Sequence, residues 1–91
     1  MEKRLVYVIL FPDKRVFIGQ TCKSIEEKIE YLKKDLDDKA YYLFKEFPNP
    51  QIIFEYKYFE SFQDVREEER KLIKKYYNDG YKIYNKNFIY D

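Results

Sequence analysis

One side chain in this sequence breaks the pattern around it. Between Ser61 and Tyr77 the apolar residues Phe62, Val65, Leu72, Ile73 and Tyr76 recur at helical spacing. The series 62, 65, 69, 72, 76 calls for an apolar residue at 69, and the sequence has Glu69 there. Arg66, Glu67 and Glu68 fall on the polar side, as a solvated helix face requires. A carboxylate turned toward a core costs several kcal/mol unless it is paired, hydrogen-bonded or bound to a metal. Two readings follow. Glu69 either sits at the helix edge, reaching water or a lysine, or it lines a cleft and binds a divalent cation. Mg²⁺ takes one or two carboxylates and fills its shell with water and phosphate oxygens, so one acid suffices for the second reading. Other metal chemistry has little to work with. The chain has no His and a single Cys, Cys22, which excludes an internal disulfide and effectively excludes a structural zinc site. Cys22 precedes a helix but has no His to activate it, so it reads as incidental.

The elements that must position Glu69 are legible in order. Leu5 to Thr21 reads as two short strands joined at Pro12-Asp13-Lys14. Alternation sends Val6, Val8 and Leu10 to one side of the pleat and Tyr7, Ile9 and Phe11 to the other. Ser24 with Glu27 forms a capping box, and Ile25, Ile29, Leu32 and Leu36 make one helical face with Lys28 at its edge. Asp35 to Asp38 closes that helix. Ala40, Leu43, Phe44 and Phe47 mark a second, broken by Pro48-Asn49-Pro50. Gln51 to Glu60 alternates, with Ile52, Phe54, Tyr56 and Tyr58 sharing one face; this is a third strand with one face expected in the core. Ser61, with Asp64 as its partner, caps the last helix, which runs to about Tyr77 and stops at Asn78-Asp79-Gly80. Gly80 to Asn85 is a short extended tail. The order is β-β-α-α-β-α-tail, an α+β arrangement.

The totals bound the reading. Ninety-one residues make a single domain, 1–91. With 45% hydrophobic and 21% aromatic residues, a small core can still bury much area. The 38% charged fraction suits a well-solvated surface. A net charge of +1 gives no overall pull toward nucleic acid, so any basic surface must come from local clusters such as Lys33-Lys34 or Lys71, Lys74 and Lys75. The longest apolar run, Leu5 to Phe11, is far too short to cross a bilayer, and no small-residue cleavage site follows it. A cytoplasmic location and no membrane partner are expected.

Placed together, these pieces resemble the GIY-YIG nuclease domain. Leu5-Val6-Tyr7 stands where that family has Gly-Ile-Tyr, and Phe17-Ile18-Gly19 where it has Tyr-Ile-Gly. Gln20-Thr21 and the helix opening Ser24 to Lys28 also resemble many members. The family's late-helix Glu falls on Glu69, within Glu69-Arg70-Lys71-Leu72-Ile73, and its closing Asn on Asn85 after Gly80-Tyr81. The resemblance covers residues 5 to 86. It implies a small three-stranded antiparallel sheet flanked by helices. It also implies nucleic-acid phosphodiester cleavage with one divalent ion, Mg²⁺ or Mn²⁺, with DNA favoured over RNA. On this resemblance Tyr7 is the general base or orients the attacking water, and Glu69 holds the metal. Lys28 contacts the scissile phosphate, Asn85 supports the site, and Gly19 and Gln20 border the substrate.

The departures have chemical consequences. Phe17 removes a site hydroxyl, and Lys28 replaces an arginine, losing its planar two-point fork. Leu32 stands where a polar side chain is common, and Leu5 replaces a glycine. Such deletions typically cost about 10²–10⁴-fold in rate each. The alternative expectation is therefore a catalytically inactive domain that binds nucleic acid or a protein partner. On either reading a chain this close to neutral needs help in targeting, from a homodimer or a partner subunit.

Overall fold

The computed structural model describes residues 2–35 and 39–85. Its elements are β1 (Glu2–Phe11), β2 (Arg15–Thr21), α1 (Ile25–Leu32), α2 (Lys39–Glu46), β3 (Gln51–Phe59), α3 (Phe62–Asn78) and β4 (Lys82–Ile83). The hairpin β1–β2 turns through Asp13 and Lys14, both at positive φ (62° and 55°), and Phe11 pairs with Arg15. Asp tolerates that conformation better than most residues. Lys14 is held there from the far end of the chain, donating from Nζ to the Asp79 carbonyl at 3.3 Å.

Strand β1 lies between β3 and β2, and both of its faces are covered. Leu5, Tyr7, Ile9 and Phe11 pack with Ile25, Leu32, Leu43 and Phe44 of α1 and α2. Val6 packs with Phe59 and Val65, and Val8 with Val16 and Ile18, beneath Leu72, Ile73 and Tyr76 of α3. A strand covered on both faces reads as an unbroken apolar run, which is why Leu5 to Phe11 has no polar position but Tyr7. The Ser24 hydroxyl accepts from the Glu27 N–H at 3.2 Å, and Ser61 accepts from Asp64 at the same distance, so both predicted caps start their helices. Helix α1 ends at Leu32, one turn before the expected Leu36, which lies outside the described residues. Among the described residues, no helix is long and apolar enough to cross a membrane.

Two expectations need correction. The sheet is not three-stranded and antiparallel; it is a four-stranded mixed sheet in the order β3-β1-β2-β4. Gly80, at φ 89°, reverses the chain after α3, and the tail then runs parallel to β2, pairing Lys82 with Arg15 and Ile83 with Val16. Backbone bonds from Lys82 N–H to Lys14 (2.7 Å) and from Tyr84 N–H to Val16 (2.9 Å) hold it there. Strand β3, in turn, does not bury one face. It is an edge strand, and α1 reaches only its beginning: Ile52 is half-buried, while Phe54, Tyr56 and Tyr58 stand exposed.

Candidate active site

Helix α3 lies across the sheet on Val65 and Leu72, and its two central acids part to either side of that apolar line. Glu68 turns toward β3 and accepts from Lys57 Nζ at 2.7 Å. Glu69 turns the other way, toward the tail beside β2, where Asn85 Nδ2 reaches its Oε1 at 3.5 Å. The helical pattern assigns Glu68 to the solvated side; its bond to Lys57 depends on how α3 crosses β3, which no local pattern encodes.

Asn85 is what makes this corner rigid. It is 8% exposed, and its amide treats β2 as a further strand residue would. Oδ1 accepts from the Ile18 N–H at 2.9 Å, and Nδ2 donates to the Ile18 carbonyl. The tail's pairing with β2 thus continues past β4 through a side chain. With both backbone groups of Ile18 engaged, the amide orientation is fixed, and Glu69 meets an N–H that cannot turn away. Glu69 itself is half-buried. Lost hydration raises its carboxyl above the usual carboxylate range, opposed by the Asn85 N–H and by the charge of Arg66.

This donor set suits one kind of cation. Asn85 Oδ1 is committed to Ile18, so Glu69 is the available oxygen ligand. Among the described residues no three His, Cys, Asp or Glu side chains gather in one place. One hard carboxylate fits an ion that retains most of its water, as Mg²⁺ or Mn²⁺ does, and does not fit a dehydrated cage.

The other expected site residues are distributed around β2. Tyr7 lies on the opposite face from α3, under α1 and α2, and is 2% exposed. Its ring stacks on Phe17 with centroids 6.3 Å apart. Its hydroxyl end lies over Gly19, where a Cβ would come within 2.6 Å of Cζ and nearer still to Oη. Gly19 is buried, and its missing side chain is the space Tyr7 occupies. Contacts therefore run from Tyr7 to Gly19, through the adjacent Ile18, to Asn85 and Glu69. Gln20 is engaged on the α3 face, accepting from Arg4 Nη1 at 2.6 Å. Lys28 is half-buried on α1, its Nζ 5.1 Å from the centre of the Tyr31 ring. Phe17 and Leu32 are core residues here, so the two hydroxyl-bearing or polar positions lost from the expected pattern serve packing.

Two arginines meet at the start of α3, beyond what the sequence led us to expect. Arg66 and Arg4 stand over the exposed Phe62 ring, at 5.0 and 5.6 Å from its centre. Arg66 lies one helical turn before Glu69, a spacing visible in the sequence. Arg4 joins the group through the β1–β2 register, which sets Val6 opposite Gln20 and could not be read beforehand. Comparisons of the chain with family models, with curated proteins and with solved structures returned no match.

Proposed function

We propose that this chain is a GIY-YIG-like domain that hydrolyses phosphodiester bonds of nucleic acid, DNA in preference to RNA, with one Mg²⁺ or Mn²⁺. The observation that carries this reading is the half-buried Glu69 carboxylate, held by an asparagine that is itself locked to the Ile18 backbone. Glu69 would hold the cation; when bound, the cation stabilises charge developing on the leaving oxygen. Asn85 fixes the direction of the carboxylate. Arg66 brings a guanidinium to the same corner, offering the planar phosphate contact that Lys28 lacks. Tyr7 lies on the other face of the sheet from α3, with its ring and hydroxyl end packed against Gly19. A tyrosine base, with an ordinary pKa of about 10, needs positive charge close by to work near neutrality.

The burial of Tyr7, at 2% exposure, favours a second reading: a catalytically inactive domain that binds nucleic acid or a protein partner. One experiment separates the two. Plasmid and oligonucleotide substrates are incubated with the chain in Mg²⁺ or Mn²⁺, alongside Glu69→Ala and Tyr7→Phe. The nuclease reading expects metal-dependent cleavage that falls at least about 100-fold in Glu69→Ala. Wild type no faster than buffer, or Glu69→Ala equal to wild type, defeats it. Salt-sensitive binding without cleavage supports the second reading.

A further inference from the structure

The two edges of the sheet are built differently. At one edge β4 has only two residues, and Asn85 occupies the Ile18 backbone beyond it. Short, occupied edges resist pairing with another chain. At the other edge β3 runs for nine residues, Gln51–Phe59, without Pro or Gly. Its inner side pairs with β1, and among the described residues no strand lies on its outer side. A lysine commonly guards such an edge. Here Lys57 is drawn aside by Glu68 at 2.7 Å and Glu55 at 3.9 Å. Phe54, Tyr56 and Tyr58, on alternate positions of one face, are 49%, 50% and 67% exposed.

The sequence of β3 complements itself when reversed. Turned end for end about Tyr56, the strand sets Glu55 opposite Lys57, Phe54 opposite Tyr58, Ile53 opposite Phe59, and Tyr56 opposite its own copy. Opposite charges and aromatic pairs are the favourable cross-strand combinations. The neighbouring registers that keep like faces together are centred on Glu55 or on Lys57. Each sets that charged residue opposite itself, which is unfavourable. One register is therefore selected over both alternatives. Lys3 Nζ stands 4.9 Å and 5.9 Å from the centres of the Tyr56 and Tyr58 rings, placing a cation over the aromatic row on the same face.

We propose that β3 pairs antiparallel with β3 of a second copy of this chain, centred on Tyr56, so that two four-stranded sheets become one. The twofold axis is perpendicular to the sheet, and the contact is isologous and closed. Both α3 helices lie on one face, and the two Glu69 corners stand near the outer ends of the joined sheet. The dimer does not depend on whether Glu69 serves catalysis.

The test begins with the oligomeric state of the full chain, by light scattering or sedimentation. A dimer is expected, and a monomer at every concentration examined overturns the proposal. Tyr56→Lys sets two lysines opposite each other at the axis and should give a folded monomer. Phe54→Lys should weaken the dimer, and adding Tyr58→Glu should restore it, because residue 54 of one copy faces 58 of the other. Register is read with a short bis-maleimide on a Cys22→Ser background. Tyr56→Cys should cross-link readily. Tyr58→Cys should not, being displaced about 13 Å along the strand from its own counterpart at 3.3 Å per residue. Equal cross-linking at the two positions overturns the proposal even if Tyr56→Lys fails to fold.

Discussion

Gly19→Ala is the most informative single substitution, because it probes the contact that joins Tyr7 to the candidate site. No positive φ constrains Gly19, so an alanine backbone fits and the penalty is steric. The new methyl would lie within 2.6 Å of Tyr7 Cζ, and the hydroxyl is closer still. The ring has little room to retreat, being 2% exposed and stacked on Phe17. Overpacking a filled core costs about 1–3 kcal/mol. Replacing glycine restricts the unfolded chain and offsets about 0.4–1 kcal/mol of that. A net loss of up to about 2.6 kcal/mol remains, or a fall in Tm of up to about 20 °C for a domain of this size. Urea denaturation followed by circular dichroism measures it. In a Tyr7→Leu background the side chain no longer reaches residue 19, and Gly19→Ala should become neutral or mildly stabilising. Tyr7→Phe removes the nearest atom but keeps Cζ, and should give an intermediate penalty. A penalty for Gly19→Ala that is the same in all three backgrounds would refute the reasoning.

Further outcomes follow from the same geometry. Glu69 has its carboxyl raised chiefly by burial, so the folded chain keeps that proton to higher pH than the unfolded chain does. Stability attributable to Glu69 therefore falls as pH rises from the usual carboxylate range through the raised folded value, and Glu69→Gln removes the fall. The stability of Glu69→Gln relative to wild type should increase as pH rises above the usual carboxylate range; a constant difference contradicts it. Asn85→Ala strands the N–H and carbonyl of Ile18 and should cost about 1–3 kcal/mol in denaturant titration, where a loss below about 0.5 kcal/mol would show water replacing the amide. Glu68→Gln should cost no more than about 1 kcal/mol, since the Lys57 pair is partly exposed, and the loss should shrink in high salt.

The sequence carried some of this architecture more clearly than the rest. Alternation from Val6 to Phe11 separated the two core faces correctly, because β1 is covered on both sides and its period maps onto two helical layers. Ser24 and Ser61 announced their helices, since a cap is a local bond. Strand β4 was not legible: two residues carry no period, and backbone bonds to Lys14 and Val16 hold them. The edge position of β3 was hidden because alternation is the same in an edge strand and an inner one; what differs is whether a helix extends over Phe54 and Tyr56. At the candidate site, the interruption of helical period at Glu69 was visible, and so was Arg66 one turn before it. The lock of Asn85 on Ile18 was not, because it joins residues 67 positions apart through a register set by the turn at Gly80. The burial of Tyr7 beneath α1 and α2 was equally out of reach, since alternation alone does not say which face is deeper.

The central claim is that Glu69, steadied by Asn85, binds a divalent cation at the edge of β2. Titration of the ¹⁵N-labelled chain with Mn²⁺ tests it directly, because the paramagnetic ion broadens amide signals near its site. Broadening should begin at Ile18, Gly19, Glu69 and Asn85, be displaced by excess Mg²⁺, and vanish in Glu69→Ala. Broadening centred on other carboxylates, or unchanged at these four residues in Glu69→Ala, would contradict the account.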